Sequence, residues 1–462
     1  MTIAHLLLSL KDQLLYNTGQ SVLVTFVVAP LIYLFINELV RHNARISGMK
    51  GPSGWPLIGN LWDIRVNAAE KYRDWARSFG DVYQIQLGNV PVVVINSAAA
   101  AKAIFGQNAQ AMSSRPEFYT FHKILSDTAG TTIGTSPYSD SLKRRRKGAA
   151  SALNKPSVQT YVSHLDVETR DFIKELYTYG EAGTAPTDPM PMIQRLSLSL
   201  ALTLNWGTRL KSQKDDLFDE ITHVEEEISR FRSTTGNLQD FIPILRLNPV
   251  NLHSAKAKEM RSRRDAYLSA LNKGLDDRIA NGSYSPCIQA NVIMDKQARL
   301  NKDELTSISL TMLSGGLDTV TTQVAWFMAF LSQHPEIQEK AVSEIRKFYD
   351  DSQPMCESAD DQKCQYIVAL TVVYEGLTIP QGSVIFLNAW ACNMDPNVWE
   401  LYLLYMRLFN SFRIEKHDQV DCHPIRGNAD PTSLVAMPKR YRARFVPRNP
   451  GALGKAMQDE DT

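Results

Sequence analysis

The sequence predicts a mainly α-helical protein with a small β-sheet and an N-terminal transmembrane helix. Three observations predict it. The stretch from about 155 to 350 carries helical periodicity almost throughout. Residues 82–95, VYQIQLGNVPVVVI, are rich in β-branched residues and broken by Gly88-Asn89, the signature of a hairpin. An uncharged apolar run extends from Ser21 to Asn37.

The elements follow in order. Residues 1–20, with MTIAHLLLSLKDQLLY, form an amphipathic segment suited to lying on a membrane surface. Residues 21–40, SVLVTFVVAPLIYLFINELV, form the anchor, near the lower limit of length for a bilayer span, and Pro30 is tolerable within it. Arg41, His42, Arg45 and Lys50 follow it, whereas Lys11 precedes it, so the positive-inside rule places the rest of the chain in the cytosol. A cleaved signal peptide fits less well, because the run starts late and no small-residue cleavage site follows. Residues 41–60 form a basic and then proline-rich hinge. Its GPSGWPLIGN cannot continue a helix. Residues 61–462 form one helical domain, with a short helix over 71–79, the hairpin, a helix from Ala98 to Phe105, and loops near 180–190, 232–250 and 281–290. An acidic loop follows at 351–363. The Asn281-Gly282-Ser283 sequon falls in the cytosol under this orientation and goes unused.

Composition excludes some functions. Lys plus Arg is 50 against 49 for Asp plus Glu, a formal net charge of +1, so no basic excess supports a nucleic-acid partner. The five cysteines, at 287, 356, 364, 392 and 422, form neither a disulfide framework nor a close zinc-binding pair. No Walker loop, dinucleotide glycine fingerprint or nucleophile elbow is present.

The most informative segment is a helix over 302–333, opened by the capping box Asn301 and Glu304 and closed at His334-Pro335. Its middle reads LSGGLDTVTT, 313–322. Two interior glycines cost about 1 kcal/mol each against alanine, so something approaches the backbone there. Gly315 and Thr319 share a face, and Gly315 opens a notch beneath the Thr319 hydroxyl. Asp318 is an acid in an apolar helix and needs a partner, water or a role. The residues alone leave two readings open: a chemical site, or a packing notch with Thr319 bonded back to a carbonyl.

With the next helix added, the chain resembles the cytochrome P450 haem-thiolate monooxygenases. Gly315, Gly316, Leu317, Asp318 and Thr319 match the family's [AG]-G-x-[DE]-T. Leu331 to Lys340 match L-x-x-H-P-E-x-Q-x-K, and GPSGWPLIGN matches the hinge after the anchor. SSRPEFYTFHK, GTSPYSDSLKRRRKGAASALN and GNADPTSLVAMPKRYRARFVPRN are similar to the fungal branch that hydroxylates phenylacetate and related small aromatic acids. A related branch oxidises cresol-type phenols. The resemblance implies haem as cofactor, NADPH electrons delivered by a cytochrome P450 reductase, a small aromatic substrate, and a single-pass endoplasmic reticulum anchor. It implies that Thr319 hydrogen-bonds dioxygen, that Asp318 relays protons, and that Gly315 and Gly316 border the haem. In LKRRRK, Arg146 takes the place of the arginine that pairs with a haem propionate, while Leu142 replaces the usual tryptophan. Lys143, Arg144, Arg145 and Lys147 read as a solvated basic face.

The resemblance also exposes a gap. The family holds its iron through the cysteine of F-x-x-G-x-x-x-C-x-G. None of the five cysteines has that context. NAWACNMDPNVW is followed at once by ELYLLYMRLFNSFRIE, so the loop is expected to be missing between 399 and 400. A second break falls at 370/371, where the family's E-x-x-R helix would stand. Two functional classes therefore remain: a monooxygenase, or a membrane-anchored remnant or binding protein without haem.

Overall fold

A computed structural model describes residues 27–462 except 108–112, 127–131, 154–156, 158–159, 249, 296–298, 358–362, 368–396, 424–425 and 459–462. Cys392, Glu375 and the 370/371 junction lie outside the described residues, as does most of the segment before the anchor. The described residues divide into two compact units, the first drawn from the chain up to 103 and from 238–249, the second from the rest.

In the first unit, α1 (Ala29–Ala44) starts with Pro30 in its first turn. Leu31, Ile32, Phe35, Ile36, Leu39 and Val40 are exposed on it. No helix among the described residues is long and apolar enough to cross a membrane, so the expected span over 21–40 is not supported there. The hinge does not hang free. The Gln84 side-chain amide locks it down: Oε1 accepts from Ile46 N at 2.8 Å and Nε2 donates to Ile46 O at 2.9 Å. A Cβ on Gly51 would stand 1.8 Å from Gln84 O, so glycine lets the hinge lie flush on the strand. After α2 (Ala68–Phe79), capped by Asn67, the expected hairpin forms from β1 (Val82–Leu87) and β2 (Val90–Ile95). They pair antiparallel from Val82↔Ile95 to Leu87↔Val90 around Gly88, whose φ is +54°. α3 (Ala98–Gln107) carries the chain onward.

The second unit is helical: α4 (Asp140–Ala152), α5 (Val162–Tyr179), α6 (Met190–Trp206), α7 (Asp216–Phe231), α8 (Leu252–Ala280), α9 (Ile288–Met294), α10 (Lys302–Leu331) and α11 (Pro335–Ile345). α12 (Asn397–Ser411) then runs without a break across 399/400. α10 is the axis of this unit. Its 30 residues span roughly 45 Å. It buries Ile308 in one cluster, Leu310, Leu313 and Leu317 in a second, and Val320, Val324 and Met328 in a third. Asn301 and Glu304 form the expected reciprocal capping box.

Two features differ from the sequence expectation. A second sheet exists: β3 (Phe412–Lys416) pairs antiparallel with β4 (Ala443–Pro447), and α13 (Pro450–Gln458) follows. The basic run on α4 is not one solvated face. Arg144 pairs with the buried Glu304 at 2.5 Å, and buried Arg145 donates to Ser307 Oγ at 2.5 Å. α4 packs on the start of α10, and that contact turns Arg145 inward and ties the exposed Arg144 to Glu304. Lys143 and Lys147 do face solvent.

Candidate functional site

The two glycines of α10 have separate roles. A Cβ on Gly316 would meet Ala201 Cβ of α6 at 3.4 Å, so this glycine serves close packing between the two helices. A Cβ on Gly315 would meet nothing within 4 Å, so this glycine borders open space. Thr319, one turn on, is exposed on the same side, and its hydroxyl donates to Gly315 O at 2.7 Å. The back-bonded arrangement weighed from the sequence is thus present, but at an open face rather than a packed one. Thr322 repeats it, donating to Asp318 O at 2.6 Å.

Asp318 points to a polar cluster that sequence spacing did not reveal. Burial pushes its carboxyl up to about 7, nearby Glu225 adds to the rise, Arg232 opposes it, and Glu226 adds a little more. Tyr267 of α8 donates to Glu225 Oε1 at 2.5 Å. Arg232, just past α7, stands over the Phe121 ring, with its guanidinium carbon 5.6 Å from the centroid. Phe121 belongs to the segment Tyr119–Leu125 and is buried with Leu313 and Leu317 of α10. A C-terminal loop closes the remaining side. Trp326 Nε1 donates to Ala436 O at 2.7 Å, and the Met437 sulfur lies 3.2 Å from Thr322 Oγ1. The segments meeting at Asp318 and Thr319 therefore come from four regions of the chain.

Arg146 sits apart from its neighbours. It is half-buried and makes no ion pair among the described residues. Burial lowers its pKa, and the like charge of Arg115 lowers it further. Two guanidinium groups held close together suit an anion between them.

These residues test the fit of a haem. A planar dianion fits the Arg146 side, and a flat ring fits against the open Gly315 and Thr319 face. A sulfur donor does not fit among the described cysteines. Cys287 is buried with Leu310, Leu313 and Leu317, on the packed side of α10. Burial pushes its thiol up, away from the thiolate form. Cys356 accepts from Asn410 Nδ2 at 3.4 Å, and the Cys364 amide donates to the Tyr402 hydroxyl at 3.2 Å, both in the core under α12. Cys422 is tied to Gln333 at 2.9 Å, beyond the end of α10.

Comparison with known proteins gives a consistent family picture. The cytochrome P450 family model matches residues 49–370, ending where the sequence places the first break. The chain is 57% identical to a 3-hydroxyphenylacetate 6-hydroxylase of Emericella nidulans, over 99% of this chain and 100% of that protein. That alignment runs over 516 positions, more than the 462 residues here, so the relative has stretches without a counterpart. A phenylacetate 2-hydroxylase of Emericella nidulans is 33% identical over 93% of this chain and 96% of its own length. A cytochrome P450 monooxygenase of Mycosarcoma maydis is 36% identical over 82% of this chain and 74% of its own length.

Proposed function

Because this chain belongs to the cytochrome P450 family, we propose that it hydroxylates a small aromatic compound of the arylacetate kind. The observation that carries this reading is the middle of α10, where Thr319 borders the open space beside Gly315 and the adjacent Asp318 is buried near Glu225 and Arg232. Haem supplies oxygen activation in this family, with NADPH electrons arriving through a partner reductase. Arg146 would hold its acidic edge. On the protein side, Asp318 keeps a proton near neutral pH, and the Thr319 hydroxyl is within one residue of it. The pair is therefore a proton source at an otherwise apolar helix.

A second reading is favoured by specific observations. The family match stops at 370, the relative's alignment outruns this chain, and α12 passes through 399/400 as unbroken helix. We propose that the 462-residue chain itself lacks the axial cysteine and is a haem-free, membrane-attached form. Sequencing the transcript across codons 370–371 and 399–400 separates the two readings. A transcript carrying the additional segments supports the hydroxylase. Junctions as in this sequence restrict this product to the haem-free form. Attachment to the endoplasmic reticulum membrane is supported by the apolar side chains exposed on α1 and by exposed Ile244, Leu245 and Leu247 in the same unit. Deleting residues 1–44 should move the chain from the pelleted membrane fraction to the supernatant.

A further inference from the structure

We propose that Arg232 is the specificity residue that grips the carboxylate of the substrate, next to Asp318 of α10. The inference rests on the hydroxylase reading above and names the substrate group that the site selects.

Arg232 is largely enclosed, yet its side chain makes no hydrogen bond or ion pair among the described residues. Its neighbours are already engaged. Arg264 donates to Leu125 O at 2.8 Å, and Arg261 donates to Ile124 O at 3.0 Å. Tyr267 holds Glu225. Asp318, Glu225 and Glu226 act on the cluster from nearby without closing a direct bond to the Arg232 guanidinium. An enclosed cation without a bonded partner is costly, and a ligand carboxylate relieves that cost.

The placement is held firmly. Ser233, the next residue, donates to Thr432 O, and Thr235 reaches the same oxygen at 3.4 Å. The loop that starts there returns to α10 through Ala436 and Met437. The turn carrying Arg232 and the stretch of α10 from Asp318 to Trp326 are thus braced by one loop. A guanidinium offers two parallel N–H donors to a planar carboxylate, and the Phe121 ring beneath Arg232 fixes the side chain that presents them. An arylacetate supplies such a carboxylate. A neutral phenol offers a single hydroxyl and no bidentate, charged partner.

The test compares phenylacetate with its neutral amide, phenylacetamide, by titration calorimetry on the full 462-residue chain. The chain should bind phenylacetate roughly tenfold or more tightly than the amide, the scale of a charge-assisted hydrogen bond. Arg232→Leu should remove that preference by weakening the acid far more than the amide, and Arg232→Lys should keep part of it. Equal affinity of the unsubstituted chain for both compounds overturns the carboxylate grip and leaves the aromatic-substrate reading standing. Binding of neither compound overturns the carboxylate grip in this chain, while the transcript sequence decides the hydroxylase reading separately. If Arg232→Leu does not fold, the acid-against-amide comparison and Arg232→Lys decide the matter.

Discussion

At the residue scale, Asp318 and Glu304 show how position sets the behaviour of a carboxylate. Asp318 is raised from 3.8 to about 7, so the folded chain holds its proton better than the unfolded chain does. Its contribution to stability is complete below about pH 4 and is lost as the pH rises to about 7. Glu175 behaves the same way, raised from 4.5 to about 7 mainly by burial, against the pull of Arg195. Asp318→Asn should therefore reduce the stability difference between about pH 5 and about pH 8 by about 2 kcal/mol, read from urea midpoints across pH. An unchanged pH profile would place Asp318 in water. Glu304 moves the other way. Burial would raise it, but the hydrogen bonds from Arg144 and Ser141 hold it below the usual range. It also closes the cap on Asn301 N at 3.1 Å. Glu304→Ala should cost about 2 kcal/mol in urea unfolding, since it removes a cap and a buried pair together. Glu304→Gln should cost less.

At the scale of elements, α10 is where sequence and structure agree most closely. Its cap, its length and its glycine pair are all legible because each is a local signal. The hairpin is legible for the same reason, since Gly88-Asn89 sits between two β-branched runs. β3 and β4 were not legible, because 26 residues of loop separate Lys416 from Ala443 and neither strand has a turn signal to point at its partner. The inward turn of Arg145 was hidden too, because a charge run does not say which face packs. Arg232 carried no local signal at all; only tertiary structure brings it over Phe121. The glycine pair gives a contrast that tests this account of α10. Gly315→Ala should stabilise the chain by up to about 1 kcal/mol, since its Cβ meets nothing and alanine favours helix. Gly316→Val should cost about 1–3 kcal/mol by forcing α10 off Ala201 of α6. Equal effects on the thermal midpoint would mean that the two positions share one environment.

At the scale of the whole molecule, the chain combines the family's Gly315–Thr319 helix with described cysteines that are engaged elsewhere. Cys287, Cys356 and Cys364 are buried in helical cores, and Cys422 is held by Gln333. The sequence made the family legible through Gly315–Thr319 and Leu331–Lys340, and the family match over residues 49–370 bears that out. The measurement that tests this most directly is a carbon monoxide difference spectrum on the purified 462-residue chain after incubation with haem and reduction. The account predicts no red-shifted Soret band of thiolate-ligated haem. Such a band at stoichiometric intensity would show that one of these cysteines binds iron and would contradict it.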